Sequence, residues 1–163
     1  MLFAFVVLSL ARRRVLHVNV TANPTGAWTA QQMVEALPWM PTARYVIRDR
    51  DRIYGETFQR RVEHLELKQV VIAAHSPWQN AYVERFIGSL RRECLDHIIA
   101  LDERQLPCVV RSYVGYYNRS RTHLSLGRDP PQPRPVRGPD LGAIVAVPEV
   151  GGLHHRYERR TAV

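Results

Sequence analysis

The chain has 163 residues, of which 45% are hydrophobic and 23% are charged. This length and balance are typical of a folded globular protein and exclude a chain that is disordered throughout. The formal net charge is +8 at pH 7, and Lys68 is the only lysine among the 23 basic residues. A basic balance of this size indicates a polyanionic partner, most often a nucleic acid; a protein that is merely kept soluble by its charge is the alternative.

The chain opens with two runs of β-forming residues. Residues 2–10 are an apolar run interrupted only by Ser9, but a membrane span takes roughly 20 residues, so no membrane partner is expected. Three arginines follow the run, the reverse of a secretory signal, which indicates a cytoplasmic protein. Residues 15–20 alternate between apolar and polar side chains, so the two runs predict a β-hairpin.

Helices and strands then alternate along the chain. Thr25 is the predicted N-cap of a helix that ends at Pro38. A strand over 45–47, a helix over 55–65 and a strand over 70–73 follow. A long amphipathic helix is predicted from Ala81 to about Ile99, with Asn80 as its cap.

The last part of the chain predicts a helix, a linker and a small hairpin. The helix covers 103–118 if Pro107 lies in its first turn. Prolines cluster over 129–139, which is typical of a linker, and 144–157 predicts a β-hairpin before a frayed tail. Two cysteines, Cys94 and Cys108, are expected to be buried and free. The order of elements predicts an α/β fold with a mixed sheet flanked by helices.

Two carboxylates have positions suited to phosphodiester chemistry. Asp49 follows the strand over 45–47, and Glu84 lies in the first turns of the long helix, 35 positions further on. Carboxylate oxygens suit Mg²⁺, and a pair of such ions supports in-line displacement at phosphorus. The alternative is that Asp49 belongs to a surface salt ladder and Glu84 is an ordinary exposed helix residue.

The sequence around these carboxylates resembles a known family. Residues 76–85 read Ser-Pro-Trp-Gln-Asn-Ala-Tyr-Val-Glu-Arg, 116–118 read Tyr-Tyr-Asn, and 121–123 read Arg-Thr-His. These blocks resemble the integrase-type DDE transposases of bacterial insertion sequences, over 2–135 and most strongly over 76–126. The segment around Asp49 matches more loosely, because Asp51 stands where the family more often has glycine. Asp51 is therefore a rival ligand, and Asp49 is favoured.

The resemblance implies a ribonuclease-H-like fold and metal-dependent DNA strand cleavage and transfer. Asp49 and Glu84 would be two ligands of catalytic Mg²⁺ or Mn²⁺. Water would be the first nucleophile and a DNA 3′-hydroxyl the second. Relatives of this kind act as multimers, so the resemblance implies a homo-oligomer on DNA.

One part of the family pattern is missing from this sequence. The family's first aspartate lies on a central strand that would precede Leu2 here. The expectation is an N-terminally truncated core over 1–128, followed by a proline-rich linker and a basic extension over 129–163. With one ligand and one strand absent, two sheet edges would lack a partner, and little strand transfer is expected from this chain alone. A non-catalytic DNA-binding remnant and a poorly folded inactive product are the alternatives.

Several other residues are candidates for DNA contact. Arg85, Arg91 and Arg92 share the helix of Glu84 and would contact phosphate, or would simply form a solvated face. Trp78 would stack on a base or, as favoured, pack in the core. His123 would approach DNA or serve as a structural histidine. The tail, with its histidines and arginines over 154–160, would bind phosphate or, as favoured, be disordered.

Overall fold

The computed structural model describes residues 2–99 and 105–161. It forms two compact units: unit 1 comprises Met1–Leu10 with Val15–Ser89, and unit 2 comprises Ala11–Arg14 with Leu90–Val163. No helix in the described ranges has the length and apolar content needed to cross a membrane. The domain boundary predicted between 128 and 129 stays a prediction.

Unit 1 begins with the hairpin that the sequence predicts. Strand β1 (Phe3–Leu8) pairs antiparallel with strand β2 (Val15–Thr21), and the register shifts between Val7 and Leu8. One extra residue on β2 accounts for such a shift and increases the local twist.

Helix α1 (Gly26–Ala36) begins at the predicted cap. The Thr25 Oγ1 accepts a hydrogen bond from the Trp28 backbone N–H at 3.1 Å, which satisfies one of the free donors of the first turn. The helix gives way to a 3₁₀ turn, Leu37–Trp39, that contains Pro38. Both ends of α1 are therefore set by the residues that predicted them.

A parallel strand pair follows in unit 1. Strand β3 (Tyr45–Arg48) pairs with strand β4 (Lys68–Val71) in parallel, and helix α2 (Glu56–His64) makes the crossover. Strand directions are mixed, as predicted, but in the described ranges no backbone ladder joins β1–β2 to β3–β4. The single mixed sheet expected from the sequence is thus divided into an antiparallel pair and a parallel pair.

One apolar cluster holds both pairs together. Phe5 of β1, Met33 of α1 and Phe58 and Val62 of α2 are almost fully buried in it, and Val46 of β3 packs against it. A buried side chain of this size contributes roughly 1.5–3 kcal/mol through removal of apolar surface from water. The two pairs therefore share a core even though they share no backbone hydrogen bonds.

Strand β2 turns polar side chains towards α1. The Gln32 side chain is 2% exposed, and its Oε1 accepts hydrogen bonds from His17 Nε2 and Asn19 Nδ2, both at 2.9 Å. Glu35 lies 3.8 Å from His17. Burial of Gln32 costs little free energy because its oxygen accepts two hydrogen bonds. The polar side chains of β2 therefore have their hydrogen-bond partners inside unit 1 rather than in solvent.

Helix α3 (Ala81–Glu93) is shorter than predicted. It begins at Ala81 as predicted and follows directly from a 3₁₀ turn, Pro77–Asn80; the capping role of Asn80 stays a prediction. After Glu93 the chain changes to a second 3₁₀ turn, Leu95–His97. Residues of α3 up to Ser89 belong to unit 1 and those from Leu90 to unit 2.

Unit 2 is built on helix α4 (Gln105–Arg119), with Pro107 in its first turn as predicted. The start predicted for this helix at 103 lies outside the described residues. Tyr113 and Tyr117 are buried on α4, and the Tyr116 ring stacks on His154 at 4.2 Å with an interplanar angle of 5°. The tyrosines at helical spacing are thus mainly core residues.

The C-terminal end of unit 2 is an ordered hairpin. Strand β5 (Ala143–Glu149) pairs antiparallel with strand β6 (His154–Arg160). Gly151 and Gly152 in the turn have φ values of 64° and 93°, which favour glycine. The hairpin is confirmed. The frayed tail from 158 and the disordered tail over 154–160 are both wrong as far as Arg160, because that segment forms β6 and pairs with β5.

The first part of the proline-rich segment is anchored. Arg12 donates to the carbonyl oxygens of Pro131 at 2.9 Å and Pro130 at 3.1 Å, and it pairs with Asp129 at 2.8 Å. Pro130 and Pro131 are buried. Cys94 is buried as expected, whereas Cys108 is exposed, which corrects the prediction for that residue.

The shared cluster of unit 1 can be tested by removing its largest helix side chain. Replacing Phe58 by alanine should lower the free energy of unfolding by about 3–5 kcal/mol, because a cavity opens where both strand pairs meet. Urea denaturation followed by circular dichroism measures the change. Thr57→Ala, at an exposed position of the same helix, is the control. An equally small change in both variants would contradict the shared core.

Candidate functional site

The parallel pair of unit 1 ends at one edge, and Asp49 lies there. Arg48 pairs with Val71 at the ends of β3 and β4, and the Ile72 N–H donates to the Arg48 carbonyl at 3.0 Å. Asp49 is the next residue after β3 and is half-buried. Catalytic groups often collect at the carboxyl ends of parallel strands, so this edge is the natural place for the first candidate ligand.

Both aspartates after β3 are held by the backbone. The Asp49 Oδ1 accepts from the Asp51 N–H at 3.0 Å, and the Asp51 Oδ1 accepts from the Ile53 N–H at 3.0 Å. Asp51 thereby caps the 3₁₀ turn Arg52–Tyr54 and is exposed. Each carboxylate has one oxygen engaged, and the choice between them as a ligand stays a prediction.

The pKa of Tyr54 reflects the negative charge at this edge. Burial, followed by the charges of Asp49 and Asp51, raises the pKa of Tyr54 to about 12. The Arg48 guanidinium lies 5.5 Å from the centre of the Tyr54 ring and acts in the opposite direction. A depression of about 300 Å³ beside these residues is also lined by Arg50. The edge therefore combines carboxylates with arginines, the charges that a metal ion and a phosphate respectively require.

A hydrogen bond connects the end of β4 to the segment before α3. The Gln79 Oε1 accepts from the Ala73 N–H at 2.8 Å, two residues after the end of β4. Glu84 is exposed in the first turn of α3, where a carboxylate is also favoured by the helix dipole. Asp49 thus follows β3, and Glu84 lies in the helix that comes after β4, the partner strand of β3. The convergence of the two carboxylates on one ion stays a prediction.

The candidate metal ligands among the described residues do not make a complete two-ion site. Within residues 2–99 and 105–161, no group of three or more histidine, cysteine, aspartate or glutamate side chains is close enough to hold a metal. The donor chemistry of Asp49 and Glu84 is right for Mg²⁺, but two protein carboxylates are fewer than a paired-ion site needs. The described part of the chain therefore fits such a site only incompletely.

The candidate DNA-contacting residues of α3 and its approach are exposed. The arginines Arg85, Arg91 and Arg92 are solvent-exposed. Their exposure agrees equally with phosphate contact and with a solvated helix face. Trp78 is 70% exposed, so the favoured prediction that it packs in the core is wrong. Trp78 lies in the 3₁₀ turn Pro77–Asn80 with most of its ring in solvent, and its stacking on a base stays a prediction.

His123, in unit 2, is buried rather than surface-exposed. Its ring packs edge-on against Tyr117 at 4.9 Å, and its Nε2 is buried without a hydrogen-bond partner in the described ranges. Burial and the charges of Arg121 and Arg13 lower the pKa of His123 to about 4. Direct contact with DNA stays a prediction, and its burial favours the structural alternative.

Sequence reasoning missed a charged cluster centred on Glu93. The Glu93 carboxylate accepts from Arg121 Nε at 2.7 Å and Nη2 at 2.6 Å, and from the Tyr113 hydroxyl at 2.8 Å. Burial raises the pKa of Glu93, but the hydrogen bonds from Arg121 and Tyr113 outweigh it and lower the pKa. Arg121 belongs to the Arg-Thr-His motif, and no spacing signal joins it to Glu93, 28 positions earlier.

Comparison with known proteins shows which family this sequence resembles. Residues 65–131 match the integrase core domain family. A protein of Xanthomonas euvesicatoria described as "Insertion element IS476 uncharacterized 39.2 kDa protein" is 35% identical over 98 residues. That match covers 60% of this chain and 27% of the relative, so this chain spans about a quarter of the relative's length.

Two solved structures show the same fold. The catalytic core domain of BIV integrase is 13% identical with a TM-score of 0.57, and the match covers 78% of this chain and 81% of that one. The HTLV-2 integrase catalytic core domain in complex with magnesium is 16% identical with a TM-score of 0.58, covering 76% and 78%.

The fold and the family match agree with each other. The chain has the ribonuclease-H-like α/β architecture of integrase catalytic cores. It carries integrase core domain sequence over 65–131, which confirms the resemblance read from the transposase-like motifs.

The buried histidine of unit 2 makes stability depend on pH. An unfolded His123 has an ordinary pKa near 6.5 and binds protons more readily than the folded one, whose pKa is about 4. Its contribution is therefore fully present above pH 6.5 and is lost as pH falls towards 4. Between about pH 7.5 and pH 5 the wild type should lose more stability than His123→Gln, by about 1 kcal/mol after allowance for solvent screening of the ring. Urea melts at each pH measure this difference, and parallel pH profiles for the two proteins would contradict it.

Proposed function

We propose that this chain acts in DNA transposition as a catalytic-core segment of an integrase-type transposase. The proposal rests on two observations taken together. Residues 65–131 match the integrase core domain family, and Asp49 lies at the end of strand β3. Glu84 lies within the matched residues, in the first turn of α3. The proposed substrate is DNA, which agrees with the net charge of +8.

Asp49 and Glu84 are the proposed metal ligands. Asp51 is the weaker candidate because it is exposed and caps the turn Arg52–Tyr54. A bound Mg²⁺ or Mn²⁺ would polarise the scissile phosphate and activate the attacking hydroxyl. The HTLV-2 integrase core, which has this fold, was solved in complex with magnesium. With fewer than three grouped ligands in the described ranges, metal binding by this chain should be weak.

The exposed basic and aromatic side chains of 78–92 are proposed to contact the DNA. Arg85, Arg91 and Arg92 would bind phosphates, and Trp78 would stack on an unpaired base. Arginine suits this role because its planar fork donates two parallel hydrogen bonds to one phosphate. The buried His123 is proposed to act through its neighbours rather than by touching DNA.

A non-catalytic DNA-binding protein is the second candidate function. The absence of a three-ligand group among the described residues favours it, since a complete catalytic site needs one more ligand than Asp49 and Glu84 supply. Under this alternative the basic surface would bind duplex DNA with a steep salt dependence and no response to metal. Metal binding by the two carboxylates therefore separates the two functions.

Binding of Mn²⁺, followed by electron paramagnetic resonance, tests the proposed ligand pair without requiring activity. Asp49→Asn and Glu84→Gln should each weaken binding by about tenfold, because each removes one anionic ligand. Asp51→Asn is the matched control and should bind like the wild type. A loss in Asp51→Asn instead of Asp49→Asn would move the assignment to Asp51. Unchanged binding in both Asp49→Asn and Glu84→Gln would reject the pair.

Strand transfer by the chain alone should stay at background in Mg²⁺, since the described ligands are too few for two ions. Duplex binding in the same samples should weaken steeply as salt rises. Gel assays of labelled oligonucleotides and fluorescence anisotropy measure the two properties. Joined product that disappears in Asp49→Asn would show that this chain completes the site by itself. Absence of any DNA binding would reject DNA as the partner.

A further inference from the structure

Unit 2 contains a second basic surface, away from the carboxylates of unit 1. A cavity of about 630 Å³ lies between the proline-rich segment and the C-terminal hairpin. We call it the arginine groove, because six arginines line it. They are Arg119, Arg128, Arg134, Arg137, Arg156 and Arg159.

Several of these arginines are fixed by neutral partners. Arg137 donates to the carbonyl oxygen of Arg159 at 3.2 Å, and Arg159 donates to that of Gly142 at 3.0 Å. Arg134 makes a longer contact of 3.5 Å with the carbonyl of Tyr157. A carbonyl orients a guanidinium without cancelling its charge, and a guanidinium has five donors, so most of them are left for another acceptor.

The two carboxylates of the lining are already neutralised by arginine. Asp129 pairs with Arg12 at 2.8 Å. Glu158 pairs with Arg160 at 2.6 Å and with Arg156 at 3.4 Å. The groove therefore keeps a surplus of positive charge, which attracts an anion that presents several phosphates.

The groove also offers apolar surface suited to bases. Ile144 and Tyr157 are 62% and 61% exposed in its lining. Ile144 pairs with Arg159 and Ala146 pairs with Tyr157, so these side chains share one face of the hairpin. An exposed aromatic ring beside fixed arginines is the arrangement that binds single strands by stacking and phosphate contact.

We propose that the arginine groove binds single-stranded DNA, with a base stacked on Tyr157 and the backbone along the arginines. A base can stack on an exposed ring only where it is unpaired, so Tyr157 beside the arginines favours a single strand over a duplex. The site is independent of the metal ligands proposed for unit 1 and of any catalytic activity. It would hold a strand that cleavage or melting has released from the duplex.

Fluorescence anisotropy with a short single-stranded oligonucleotide, in EDTA, tests the groove. The wild-type chain should bind the single strand about tenfold more tightly than the matching duplex. The double variant Arg134→Ala/Arg137→Ala should weaken binding by about tenfold and reduce the salt slope by about 1.4, the loss of two single-strand phosphate contacts. Tyr157→Ala should weaken binding about fivefold without changing the salt slope.

Controls separate this proposal from loss of folding. Arg128→Asn, at a position with φ of 67° that asparagine tolerates, removes a groove arginine that the hairpin does not depend on. It should reduce the salt slope by about 0.7. Arg60→Gln, on α2 and ion-paired with Glu56, should bind like the wild type. Equal affinity for duplex and single strand, or unaltered binding in the double variant and in Arg128→Asn, would overturn the proposal.

Discussion

The apolar cluster around Phe58 is the constraint on which unit 1 depends. It is the contact that joins the antiparallel pair to the parallel pair in the described ranges, because no backbone ladder does so. Met33 and Phe58 fill the space between helices and strands, and Val62 is fully buried beside them. Side-chain packing rather than sheet hydrogen bonding therefore sets where the end of β3 lies, and with it the position of Asp49.

This arrangement leaves strand edges available. The backbone of β1 on the side away from β2, and that of β3 on the side away from β4, makes no ladder with another described strand. Unpaired edges invite an added strand, since their N–H and C=O groups are already aligned. A parallel strand added beside β3 would end next to Asp49. The unpaired edge of β3 and the first candidate ligand therefore lie at the same place in unit 1.

Local sequence signals predicted the helices and strands of this fold better than the contacts between them. Thr25 is a short-range start signal for α1 and Pro38 is a stop signal, and both act as predicted. The exposure of Trp78 could not be predicted, because no neighbouring residue indicates that a 3₁₀ turn exposes its indole ring. Of the candidate site, the positions of Asp49 and Glu84 on their elements were predictable from the sequence. The Ala73–Gln79 hydrogen bond was not, since a single side-chain contact leaves no periodic trace.

The net charge of +8 says nothing about where positive charge is free, and the partners of the arginines decide that. Arg121 is bonded to the Glu93 carboxylate and Arg12 to that of Asp129, so each is largely neutralised. Arg137 and Arg159 donate to carbonyl oxygens and keep their charge. Arg50 does the same at the strand end of unit 1, where its Nε donates to the Ile72 carbonyl at 3.0 Å. Surplus charge therefore gathers where arginines meet backbone rather than acids. The strand end of unit 1 and the arginine groove share this feature, which a count of charged residues cannot reveal.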